Sequence, residues 1–201
     1  MAMSSESTNT SEIPGYNYGT AEHSPVTLTE LEELKASVML DERDAALLQR
    51  AGELLDDQVD DILDVWYGFV ASQPQLVAHF SQPGGPPIDE YLAAVRPRFG
   101  QWIRDTCSRS YDQEWLDYQN EIALRHTPAH KNETDHVGST SVVPLRHLIA
   151  LTGPVAITVR PFLARKESDG EQVDAMMQAW LKAVLLQIAL WSRPYTREGQ
   201  W

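Results

Sequence analysis

The sequence predicts an all-α chain. Apolar residues recur at steps of three and four along most of it, and no stretch keeps the two-residue alternation of a half-buried strand. Proline, glycine and polar clusters fall between these periodic segments rather than at random. With 201 residues, the chain has enough material for one core of ordinary size and is short for two domains.

Taken in order, residues 1–12 have the composition of a disordered tail. The next piece, Ile13-Pro-Gly-Tyr-Asn-Tyr-Gly19, sets an isoleucine and two tyrosines among turn residues, as an arm lying across a surface would. Thr27 or Thr29 can cap a helix running to about Leu40, with Glu30, Glu32 and Glu33 near its positive end. Asp41 opens a second pattern that continues almost unbroken to about Ala71. In it Val59, Ile62, Leu63, Trp66 and Val70 point inward, and Asp56, Asp57, Asp60, Asp61 and Asp64 read as a solvated acidic face.

A short element follows from Pro74 to Phe80, then a loop, Gln82 to Pro87. From Ile88 the positions Tyr91, Leu92, Val95, Phe99, Trp102 and Ile103 return to helical spacing; Pro97 removes one donor from inside and is expected to bend the helix. Trp115, Tyr118, Ile122 and His126 share one face of the next helix, which Pro128 brings to an end. After a polar linker come two long helices, about Val142–Arg165 with Pro154 and Pro161 as kinks or breaks, and about Gln172–Arg193. The stripe of the last, with Met177, Trp180, Val184 and Trp191, is wide enough for both a core and a partner subunit.

Composition narrows the function. The formal charge of -13 argues against nucleic acid, which needs a Lys/Arg face, and against an anionic membrane surface. No apolar run reads as membrane-spanning and no secretory signal is evident, so a cytoplasmic setting is expected. Cys107 stands alone, which excludes an internal disulfide and any cysteine-built zinc or iron–sulfur site; it reads as a small buried hydrophobe. His126 and His130 stand four apart with His136 near, but Pro128 spoils a shared zinc-binding face. His79 and His147 read as boundary residues and His23 as exposed. His126 itself has two readings: a satisfied core histidine, or a ligand leaning into the core toward a haem iron.

Several motifs favour the second reading. Ile13-Pro-Gly-Tyr, Trp66-Tyr67-Gly68-Phe69, the stretch from Val95 to Ile103, Leu124-Arg-His126 followed by Lys131-Asn132 and Thr134-Asp135, and Pro144-Leu-Arg146 occur in the order of the protoglobins, single-domain relatives of globin-coupled sensors. The chain resembles that family from Ile13 to Pro194. The resemblance implies a globin fold, the 3-over-3 helical sandwich, with an extra N-terminal helix at about Leu28–Val38 and an N-terminal arm. The domain would span residues 13–195, followed by a tail at 196–201 and by no transmitter or cyclase domain.

It also implies a site. His126 matches the proximal ligand of a five-coordinate iron in haem b. Trp66 and Tyr67 match the paired aromatics of the distal pocket, Val95 the distal-helix position and Phe99 its neighbouring wall. Arg98 matches a residue pairing with a haem propionate, and Tyr16 and Tyr18 would cover the haem edge. Homodimerisation through the last two helices belongs to the resemblance too. The expected function is binding of dioxygen, carbon monoxide or nitric oxide. Two others stand beside it: haem-dependent redox chemistry on peroxide, nitrite or carbene precursors, with a reductase as electron source and no catalytic residue beyond the iron, and gas sensing through a partner.

Overall fold

A computed structural model describes residues 13–197 and 199–201; the expected disordered tail, residues 1–12, lies outside the described residues. Seven longer helices and one four-residue helical turn carry the described chain. They are α1 (Leu28–Ser37), α2 (Glu42–Leu55), α3 (Val59–Ala71), the turn α4 (Pro74–Val77), α5 (Asp89–Ser108), α6 (Gln113–Leu124), α7 (Leu145–Lys166) and α8 (Gly170–Ser192). Among the described residues there is no strand, only an isolated bridge from Ser81 to Pro87 that closes the glycine- and proline-rich loop.

The first two helices start where their side chains can take up orphan backbone donors. Thr27 caps α1 by accepting from Glu30 N at 3.2 Å, while Glu30 accepts from Thr27 N at 2.8 Å. Asp41 and Asp44 make the same reciprocal box at α2, each bond 3.0 Å. The single helix expected from Asp41 to Ala71 is in fact two, parted by a 3-10 turn at Asp56–Gln58. Gln58 explains the break: its amide donates to Leu54 O at 2.8 Å and to Phe162 O at 3.1 Å, satisfying a helix-end carbonyl and tying the turn to α7. The aspartate face is exposed as expected, and part of it also pairs with cations. Asp56 pairs with Arg104 at 2.7 Å, Asp64 with Arg96 at 2.8 Å and Asp57 with Lys166. These exposed pairs contribute little stability each.

The internal prolines break nothing. α5 runs through Pro97, and α7 through Pro154 and Pro161, each proline forfeiting one backbone bond. α2 crosses α5 so closely at Gly52 that a Cβ there would sit 2.8 Å from Cys107 Cβ. Cys107 is buried, and burial pushes its thiol up to about 12, as a small core hydrophobe.

α8 is the central element, packed against α1, α2, α6 and α7. Trp180, Val184 and Trp191 take the core share of the expected stripe, buried inside the subunit where four helices close over them, while Met177 is half-buried. The apolar residues facing outward are Leu181 and Leu185 on α8, with Ile149 and Ile157 on α7. The expectation that no segment has membrane-spanning length also needs correction. By length and composition alone Leu145–Lys166 and Gly170–Tyr195 are long and apolar enough, as core helices of soluble proteins also are.

Candidate functional site

A cavity of about 250 Å³ lies within the helical stack. α3 supplies Trp66, Tyr67 and Val70 to its lining, and α5 supplies Val95, Phe99 and Trp102. Ile122 of α6, His126 just past its end, Val155 of α7, and Val184 and Trp191 of α8 line it too. Five of the eight residues singled out from sequence therefore meet at one space, Trp66, Tyr67, Val95, Phe99 and His126, and Arg98 makes a sixth.

His126 owes its pose to the way α6 ends. The helix closes at Leu124 and then tightens, with His126 N donating to Ala123 O at 3.1 Å and Thr127 N to Leu124 O at 2.9 Å. His126, expected on the last helical turn, stands two residues past the last helical residue, Leu124. The tightening leaves Ile122 O free, and His126 Nδ1 lies 2.8 Å from it. A carbonyl oxygen only accepts, so Nδ1 carries the proton and Nε2 keeps its lone pair. Among the described residues Nε2 has no hydrogen-bond partner, and the ring fronts the cavity. Burial pulls its pKa down to about 4, so the ring is neutral near pH 7.

The ring is also held from behind. Trp191 lies against it, ring centroids 5.7 Å apart and planes 27° from parallel. Trp191 Nε1 donates to Gln119 Oε1 at 2.9 Å. The His126 carbonyl accepts from Val143 N at 2.8 Å and from the Tyr195 hydroxyl at 3.0 Å, the same hydroxyl lying 2.6 Å from Val143 O.

Elsewhere in the lining, Trp66 and Phe99 meet edge to face at 5.5 Å, and Tyr67 and Phe99 at 6.4 Å. The Tyr67 hydroxyl has no hydrogen-bond partner among the described residues. Burial pushes its pKa up to about 12, so it stays a protonated donor.

Three cations line the cavity, two of them held in ion pairs. Arg98 forks onto Asp135 at 2.9 and 2.6 Å and donates to Pro14 O at 2.9 Å. Arg125 pairs with Glu121 at 2.7 Å. Lys131 is buried, its ammonium donating to His79 O, the Tyr91 hydroxyl and Ser139 Oγ at 3.0, 3.0 and 2.8 Å. Burial pulls it down to about 8, against the opposing pull of Asp135. His79 lines the cavity too, 2.7 Å from His147, so these two boundary histidines form a pair.

Tyr16 and Tyr18 do not line the cavity. They pack edge-on against Tyr118, at 5.1 and 5.6 Å, and it is Tyr118 that lines it. Tyr16 is anchored to α5 through Asp105 at 2.6 Å. His130 pairs with Glu121 at 2.9 Å and is no neighbour ligand to His126; among the described residues no histidine–carboxylate–cysteine cluster of metal-binding form occurs. Sequence reading missed Trp191, Tyr118, Lys131 and His79 as parts of the site. Trp191 has a usable signal, since Trp180, Val184 and Trp191 repeat at steps of four and seven, but periodicity alone does not divide that stripe between the core and a partner subunit.

The arrangement suits a flat, mostly apolar group with acidic substituents. It offers one neutral imidazole with a free nitrogen, a mostly apolar lining and three cations.

The Protoglobin family model matches residues 27–201. Among solved structures, the globin domain of the Geobacter sulfurreducens globin-coupled sensor superposes with a TM-score of 0.63. It is 17% identical, and the match covers 83% of this chain and 97% of that one, a likeness of fold. Among curated proteins no sequence matches significantly.

Proposed function

Because this chain belongs to the protoglobin family and is a globin-type haem protein, we propose that it binds haem b through His126 and presents the iron to small gaseous ligands. Haem held by His126 would supply an iron able to bind dioxygen, carbon monoxide or nitric oxide. The observation that carries the assignment is geometric: the His126 ring lines the cavity with Nδ1 2.8 Å from Ile122 O and, among the described residues, no partner on Nε2. A ligating histidine needs the tautomer that this contact selects, and the carbonyl that accepts from it raises its basicity.

The other residues take roles that follow from their surroundings. Trp66, Tyr67, Val95 and Phe99 form the distal wall and limit what enters. The free Tyr67 hydroxyl is available to donate to a polar ligand. Arg98 and Arg125, already paired with Asp135 and Glu121, and Lys131 are the cations within reach of the haem carboxylates. Tyr16 and Tyr18 cover that region indirectly, by backing Tyr118. The outward Ile149, Ile157, Leu181 and Leu185 support a homodimer through α7 and α8. A chain with one cysteine supports a cytoplasmic setting.

The test is a haemin titration of the purified protein, followed by reduction and exposure to carbon monoxide. The expected result is a Soret band that saturates at one haem per chain, shifts sharply with carbon monoxide, and is largely lost in His126→Ala. A His126→Ala protein that keeps full haem with an unchanged spectrum overturns the ligand assignment.

A further inference from the structure

His126 is pinned at one ring atom only. The bond from Nδ1 to Ile122 O fixes where the proton points but leaves the ring free to tilt about that contact. A surface against the ring face removes the tilt, and α8 supplies one. The Trp191 indole lies 5.7 Å away and 27° from parallel, as a flat stop that uses no imidazole nitrogen and so leaves Nε2 available.

That stop is itself fixed. Gln119 Oε1 accepts from Trp191 Nε1 at 2.9 Å, and both residues are buried. Trp102 flanks the indole at 6.0 Å, held in turn by its 2.6 Å bond to Gln187. Gln119 lies on α6, and His126 follows two residues past the end of that helix. The indole of α8 is therefore keyed to the helix from whose end the histidine it orients projects, and sliding of α8 along α6 is resisted at Gln119 before it reaches the ring.

We infer that Trp191 is the positioning residue that sets the plane of the His126 imidazole, with Gln119 holding Trp191 in register. The inference builds on the haem-binding reading. The plane of an axial imidazole decides how well its lone pair is aimed, and groups that orient a ligating histidine typically matter by about 10-fold or more in metal affinity.

Three variants test it: Trp191→Phe keeps a ring face and loses the N–H, Trp191→Leu loses both, and Gln119→Leu removes the acceptor alone. Haemin release to excess apomyoglobin is expected to be fastest for Trp191→Leu, about 10-fold above wild type, with Trp191→Phe and Gln119→Leu between. In the ferrous protein the iron–imidazole stretching band should shift and broaden in Trp191→Leu and recover in Trp191→Phe, which a loss of general packing would not restore. Wild-type release and an unchanged band in Trp191→Leu would overturn the inference while leaving His126 as ligand. The haem-free protein gives a second readout: His126 ring resonances should report one fixed, indole-shielded conformer in wild type and averaging in Trp191→Leu. A wild type that takes up no haemin would sink the haem reading alone, and this comparison would still decide whether Trp191 orients the ring.

Discussion

The guanidinium of Arg98 holds both oxygens of Asp135, and the same side chain donates to the carbonyl of Pro14. One residue of α5 thus joins the N-terminal arm to the loop after α6, with both ends of the ion pair buried at about a tenth exposure. The arm passes so close that a Cβ on Gly15 would lie 2.6 Å from Arg98 Nη1, and Gly15 has a φ of +75°. Only glycine takes that position without strain.

Removing Arg98 leaves a carboxylate, only about a tenth exposed, without its partner and releases the arm at the exposed Pro14. Arg98→Ala is expected to cost about 3 kcal/mol in the haem-free protein, measured by urea unfolding. Arg98→Lys keeps the charge without the fork and should lose less. An Arg98→Ala protein as stable as wild type would mean that the pair contributes nothing net.

Acid should weaken the haem-free fold in a defined window. His79 and His126 are both pulled from 6.5 down to about 4, mainly by burial. Between those values the unfolded chain binds protons that the folded chain refuses, so stability is intact above pH 6.5 and falls toward pH 4. Each group contributes a slope of up to about 1.4 kcal/mol per pH unit. His79→Gln should flatten the curve by about one proton's worth; an unchanged slope would assign the acid sensitivity elsewhere. Lys131, pulled down to about 8, adds stability as pH rises from 8 toward 10.5.

Two glycines at helix crossings should differ in their tolerance. In Gly52→Ala the new methyl meets Cys107 Cβ at 2.8 Å, an atom fixed by the α5 backbone, and the cost is expected at about 2 kcal/mol. In Gly100→Ala the nearest atoms are Val59 Cγ1 at 3.1 Å and Leu63 Cδ1 at 3.3 Å, side-chain ends that can give. Its loss should be smaller, so reversal of that order in thermal melts would contradict the packing at α2–α5.

The outward face of α7 and α8 predicts the oligomer. Leu185 is 42% exposed and Ile157 is 71% exposed in the single chain. Leu185→Glu or Ile157→Glu should shift sedimentation from dimer to monomer with at most about 0.5 kcal/mol of change within the subunit. A monomeric wild type would remove the basis for a dimer.

Local rules made much of this legible. The Thr27–Glu30 box, the Trp115–Tyr118–Ile122–His126 stripe and the proline after it specify where helices start, which face turns inward and where a histidine leaves the helix. What stayed hidden depends on contacts distant in sequence. The turn at Asp56–Gln58 depends on Phe162 O, more than a hundred residues away, so periodicity ran straight through it. Periodicity likewise shows that Trp180, Val184 and Trp191 share a face, but not that four helices of the same subunit cover it. Tyr16 and Tyr18 were placed near the site by motif, and only packing shows that Tyr118 stands between.

The acceptor for the His126 N–H is a peptide carbonyl, left free because α6 tightens at its end. No codon change at Ile122 deletes that oxygen. Redesign of the imidazole's electron-donating strength through side chains is therefore closed at this contact. An engineer would have to respell the helix terminus itself, for example at Pro128, so that the carbonyl is recaptured by a backbone amide.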